Sequence, residues 1–305
     1  MVARQHQKND SRPVAGVFWM LVTGVCFVGV TVLVKFVGSR IPAVEAAFLR
    51  YALGVVFLVP MVQPILRAGL TNRQVSLFTL RGVVHTIGVG CWFFAMTRIP
   101  LAEVTAMNYM APIYVTIGAA LFLGEKLAMR RIFAIAMALL GAFVILRPGF
   151  RELNPGHVAM LFTALAFGVS YLLAKVLSDE LPPTVLVGML SVSVTIGLAP
   201  AAILVWVTPT LNELLLLFGV ACFATAGHYT MTLAFRAAPV TVTQPVSFLQ
   251  LIWSVLIGWI IFSEAPDVWV VLGGVLIVSA ICFITWREAM LKRRQITPLE
   301  GQTKL

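Results

Sequence analysis

The chain is a succession of apolar stretches, each about one membrane crossing long, separated by short polar breaks. A helix needs roughly 20 mostly apolar residues to cross ~30 Å of hydrocarbon. Ten stretches meet that need: about 14–37, 43–64, 76–97, 101–123, 130–147, 156–177, 183–207, 212–235, 240–262 and 267–286. The pattern predicts an all-α integral membrane protein, because helices satisfy their own backbone hydrogen bonds in lipid. The first apolar run is too long for a cleavable signal and follows a polar, basic dodecapeptide, as expected of a first span that stays in place.

The pattern also repeats. Residues 19–35 (WMLVTGVCFVGVTVLVK) lie over 159–175 (AMLFTALAFGVSYLLAK) at an offset of 140, matching Met20/Met160, Thr23/Thr163, Phe27/Phe167 and Lys35/Lys175. Pro42/Pro182 and Pro60/Pro200 keep that offset, and a one-residue slip to 139 then aligns Gly88/Gly227, Ala95/Ala234, Pro100/Pro239 and Glu125/Glu264. Five spans fall in each copy, so the second copy enters the membrane from the opposite side and the repeats are inverted. The organisation predicted is a tail over 1–13, a first repeat over 14–147, a linker over 148–155, a second repeat over 156–286 and a tail over 287–305.

Composition agrees: the chain is 60% hydrophobic and 11% charged, against about 25% charged in soluble domains. A net charge of +10 would suit nucleic acid, but its distribution follows topology. Most lysines and arginines fall on loops of the N-terminal side, whereas Lys35, Arg40, Arg98, Arg147 and Arg151 fall on the other. The positive-inside rule then places both termini in the cytoplasm. The expected partners are lipid and a small solute, with a proton or counter-solute for coupling, in a monomer or weak dimer; nucleic acid is excluded.

Cys26, Cys91, Cys222 and Cys282 all lie within spans at no metal-ligand spacing, and neither a CxxC pair nor a phosphate-binding glycine loop occurs. No metal or cofactor is expected. An enzyme would need a nucleophile, a metal set or paired acids, and the deep spans carry no Asp or Glu. A channel would need a continuous polar lining. A secondary carrier fits best, with a channel as the alternative and a membrane-embedded enzyme behind it.

Residues 97–149 (TRIPLAEVTAMNYMAPIYVTIGAALFLGEKLAMRRIFAIAMALLGAFVILRPG) resemble the fourth and fifth spans of EamA-type carriers in the drug/metabolite transporter superfamily. Residues 237–288, with the apolar run ending in Glu264, resemble the matching final spans. The resemblance covers roughly 14–288 and implies ten helices, cytoplasmic termini and a central cavity between the halves. The Pro-Val…Gln-Leu-Ile-Trp run of the ninth span is similar to bacterial carriers grouped with riboflavin or S-adenosylmethionine uptake.

Polar side chains inside spans mark the solute site, because they are costly unless they face protein or water. Arg50 is the charge placed clearly within a span, and its planar fork suits a carboxylate or phosphate; the bland alternative is an ion pair with Glu45 or Glu103. His85 and His228 should line similar faces of the third and eighth spans, as solute contacts or proton carriers, or as ordinary bonds between helices. Asn108, Tyr109 and Tyr114 in the fourth span, with Gln244, Gln250 and Trp253 in the ninth, offer amides and rings at matched depth, and Trp92, Tyr171 and Tyr229 join them as further contacts. Pro112, Pro245, Gly88 and Gly227 are the candidate hinges. Glu125 and Glu264 close apolar spans and read as helix-end partners on opposite sides of the membrane.

Overall fold

The structure is a computed structural model and describes residues 13–111, 113, 114, 117, 129–147, 152–178, 180–238 and 246–296. Every regular element among them is helical. In chain order these are α1 (Pro13–Val37), α2 (Ala43–Gly54), a 3₁₀ turn (Val55–Leu58), α3 (Val59–Arg67), α4 (Asn72–Met96), α5 (Leu101–Asn108), α6 (Met129–Leu146), α7 (Pro155–Ser178), α8 (Pro183–Leu204), α9 (Leu211–Ala237), α10 (Leu249–Phe262) and α11 (Val268–Ile296). Five stretches, within α1, α4, α7, α8 and α9, are long and apolar enough to cross a membrane on their own. Phe18, Ile87, Phe133, Ile196 and Ile260 are among the many large apolar side chains exposed on the outside of the bundle, where lipid rather than water makes them stable.

Local signals set the helix ends. Thr71 and Gln74 form a reciprocal cap at the start of α4, and Thr210 and Glu213 form the same cap at the start of α9. These residues match at the 139 offset, so the duplication preserved a capping box that satisfies otherwise free N–H groups. Pro42 and Pro182, matched at 140, stand immediately before α2 and α8 with nearly the same backbone angles.

The predicted second span is not one rod. It is α2, a 3₁₀ turn and α3, with Pro60 just after the break; proline has no N–H to donate and its ring crowds the preceding turn. Its counterpart Pro200 lies inside an unbroken α8, so the paired prolines do not give paired breaks.

The packing follows the repeat. α1 lies along α9, and α4 lies along α7; these are equivalent pairs, each joining one half to the other. On the axis between halves, α2 packs on α8, α5 on α10 and α6 on α11. At the α6–α11 crossing, Gly141 and Gly273 sit backbone to backbone, and a Cβ on either would lie within 2.6 Å of the other's carbonyl oxygen.

The equivalences extend to single contacts. Phe27 of α1 sits edge-on to His228 of α9, and Phe167 of α7 stacks on His85 of α4. Thr23 shares a hydrogen bond with Thr230, while its match Thr163 donates to the Gly88 carbonyl. Gly88 faces Phe167 and Gly227 faces Phe27. The two candidate hinge glycines thus stand in mid-helix where an aromatic ring comes close, which is what small residues in membrane interfaces allow.

Candidate solute-binding site

In the middle of the bundle, α2, α4, α7 and α9 bring together a basic and aromatic cluster. Arg50 and Tyr51 come from α2, Arg81 and His85 from one face of α4, Tyr171 from α7 and His228 from α9. Arg50 and Arg81 lie near both His85 and His228. Arg81 and Tyr51 both lie near Tyr171. Tyr171 is 40% exposed, and its ring lies 6.1 Å from that of Phe167.

Neither arginine is neutralised by a described residue. Arg50 lies over the ring of its neighbour Tyr51, 3.8 Å from the centroid. Arg81 is only 7% exposed; its Nη1 donates to the Leu186 carbonyl at 3.1 Å and its Nε has no hydrogen-bond partner. Among the described residues no carboxylate pairs with either. The two acids weighed against Arg50 are engaged elsewhere: Glu45 accepts the Val207 N–H at 2.8 Å, and Glu103 pairs with His157 at 2.5 Å. A buried guanidinium with an unmet donor is costly, and an anionic ligand relieves that cost.

The histidines are held at fixed angles. His85 Nδ1 bonds Ser170 Oγ at 3.0 Å while its ring stacks on Phe167 at 4.9 Å. The His228 ring meets Phe27 at 5.3 Å.

The remaining predicted residues separate. Asn108 closes α5, and its Oδ1 is buried without a partner. Tyr109 is taken up by the α5–α10 interface: its hydroxyl donates to the Ser247 carbonyl at 2.9 Å and its ring meets Phe248, its repeat counterpart, at 5.1 Å. Both helices lose regular geometry at these matched positions, after Asn108 and at Phe248. Broken helices at membrane depth are how carriers expose backbone polar groups to solutes. Tyr114 and Trp92 are half-buried against the core, Trp92 edge-on to Phe93, and Gln250 is half-buried in α10. Trp253 and Tyr229 are 49% and 57% exposed, and no described contact joins them to the basic cluster. Gln244, Pro245 and Pro112 lie outside the described residues.

Arg81 was missed by sequence reasoning, which counted it with the cytoplasmic charges although it lies five residues inside the span drawn from 76. The Thr71-x-x-Gln74 capping signature starts the helix at Asn72 and puts Arg81 a little over two turns inside, one turn from His85. His157 was also missed, since nothing in its local sequence announces Glu103, 54 residues away.

A bundle of apolar helices in crossed, repeat-related pairs around a polar centre defines an integral membrane carrier. The chain belongs to the EamA-like transporter family, which matches it twice, over residues 14–147 and 154–286. A riboflavin transporter of Rhizobium johnstonii is 31% identical, covering 94% of this chain and 96% of its own length. An S-adenosylmethionine uptake transporter of Rickettsia bellii is 26% identical, covering 92% and 97%. A solved crystal structure at 17% identity superposes with a TM-score of 0.61 over 93% of this chain and shares its fold. The protein is therefore a multi-pass membrane transporter and not an enzyme.

Proposed function

We propose that the chain is a secondary carrier that moves a small organic anion or zwitterion across a bacterial inner membrane by alternating access, with both termini in the cytoplasm. The observation that carries this reading is the pair Arg50 and Arg81, two permanent cations in the bundle centre with no described carboxylate partner. The solute's carboxylate or phosphate is the missing counter-charge, gripped by planar forks that donate parallel hydrogen bonds. Tyr51 and Tyr171 supply ring faces and hydroxyls beside it. Relatives named for riboflavin and S-adenosylmethionine make amino-acid-like, nucleoside-like and vitamin-like compounds the first set to test, and the amino-acid carboxylate is the group with a ready partner here.

His85 and His228 touch the same centre and are the candidates for coupling a proton to solute movement; a counter-solute is the alternative driving partner. Purified protein in liposomes loaded with a candidate compound should show counterflow, in which internal unlabelled solute accelerates entry of labelled solute. Linear flux without counterflow would replace the carrier by a channel.

A further inference from the structure

One end of the bundle carries the α1–α2, α4–α5 and α10–α11 turns, and there charged side chains tie the halves together. Glu264 is the most elaborately held. After α10 stops at Phe262, Ser263 takes a left-handed φ of 54° and the Glu264 N–H returns to the Gly258 carbonyl at 2.9 Å. The turn folds the carboxylate back over Gly258, where a Cβ would lie 2.6 Å from Oε2, so glycine leaves the room the carboxylate occupies.

That carboxylate has two partners from the other half. Oε2 accepts the Leu101 N–H at 2.9 Å, the first residue of α5, whose N-terminus has no side-chain cap of its own. Oε1 pairs with Lys35 Nζ near the end of α1, and the same ammonium lies 5.3 Å from the centre of the Phe262 ring. One side chain therefore joins α1, α5 and α10. Immediately beside it, buried Glu103 of α5 pairs with buried His157 of α7. His157 Nδ1 accepts the Asn154 N–H at 3.1 Å, which leaves the ring hydrogen on Nε2, aimed at Glu103.

Two observations make the Lys35–Glu264 contact a moving part rather than a permanent rivet. Both side chains keep access to water, at 17% and 18% exposure, so separation rehydrates the charges instead of stranding them as in a dry pair. The duplication also kept both residue types: Lys35 matches Lys175 and Glu264 matches Glu125, so the inverted sequence carries this pair of charges twice.

We propose that Lys35 and Glu264 form a latch that holds this end of the carrier shut and releases when α10 separates from α1 and α5. The proposal rests on the carrier reading above. Beneath the latch, Thr105 and Ser254 share a hydrogen bond of 2.8 Å and Ser254 is completely buried, which makes Ser254 a reporter of opening.

The test places Ser254→Cys in protein whose Cys26, Cys91, Cys222 and Cys282 are changed to alanine, in lipid nanodiscs, and measures its rate of modification by a charged methanethiosulfonate. Modification should be slow with the latch intact and with Lys35→Arg. Lys35→Met and Glu264→Gln should each accelerate it roughly tenfold by shifting the population toward the open state. Glu264→Gln keeps an amide oxygen for the Leu101 N–H, so it removes the ion pair while leaving the helix end partnered. Equal rates in all four proteins would overturn the latch. Because modification needs no solute, that failure is distinct from failure of the carrier reading, which shows as absent counterflow.

Discussion

The two repeats are alike where they build the bundle and unlike where they face its centre. Phe27 and Phe167 each receive a histidine, Gly88 and Gly227 each receive a phenylalanine, and Thr71 and Thr210 cap equivalent helices. The basic cluster has no such symmetry. By the same offsets Arg50 is matched by Leu190, Tyr51 by Ser191, Arg81 by Val220, His85 by Ala224, Tyr171 by Thr31 and His228 by Val89. A scaffold that exchanges conformations between halves needs matched packing, whereas a solute with its own shape and charge needs an unmatched lining. Both arginines come from the first repeat, so under the proposed function that half would supply the anion contacts.

The largest effect should come from breaking the asymmetric part. Arg81→Gln removes a buried donor set and should lower solute uptake by about 100-fold or more, as loss of one side of a buried charge contact does. Arg81→Lys should recover little of it, since a point charge does not replace a fork. Arg50 is more open, and Arg50→Lys should cost roughly tenfold. Uptake rates normalised to folded protein by size exclusion decide each case; normal uptake in either lysine variant removes that arginine from the site.

Next come the matched glycines, where the comparison becomes quantitative. A Cβ at position 88 would lie 2.8 Å from the Phe167 ring, against 3.3 Å from Cys26 and Phe27 at position 227. Gly88→Ala should therefore destabilise by about 1–3 kcal/mol, the usual cost of overpacking, and Gly227→Ala by less. Thermal unfolding in detergent checks the order, and the reverse order would mean that the α1–α9 crossing is the tighter of the two.

The histidines sharpen the comparison through pH. If either reports protonation to the centre, uptake changes between about pH 5.5 and 7.5, and His85→Gln or His228→Gln flattens that change. Profiles that stay superimposed in wild type and both variants would reject both as proton carriers and leave them as neutral contacts.

The smallest effect lies at the far end, where Glu180 accepts from Arg73 and Gln74. Those hydrogen bonds hold its carboxyl below the usual carboxylate range. With a folded value below the unfolded one, the contribution is present above the ordinary value of about 4.3 and disappears as pH falls through the lowered one. The contact is exposed, so Glu180→Gln should leave the melting temperature unchanged between pH 6 and 8. A clear drop there would mean that this end is also tied.

Ten apolar runs, the duplication and the carrier family were legible because each is written along the chain as length, repetition or a local motif. Arg50, His85, His228 and Tyr171 were legible as polar residues in apolar surroundings, and the structure brings them into one cluster. Tyr109 looked the same in sequence but spends its hydroxyl on the Ser247 carbonyl, a contact between halves that span position alone does not reveal. The break before Pro60 and its absence at Pro200 show the same limit: a proline permits a break, and the packing around it decides whether one forms.

The most direct test of the central claim, that an anionic group of the solute meets Arg50 and Arg81, is counterflow driven by a bacterial metabolite extract separated by charge. Proteoliposomes carrying wild-type protein should respond to the anionic or zwitterionic fractions, and those carrying Arg50→Gln with Arg81→Gln should respond to none. A response confined to neutral or purely cationic fractions, or one that survives in the double variant, would contradict it.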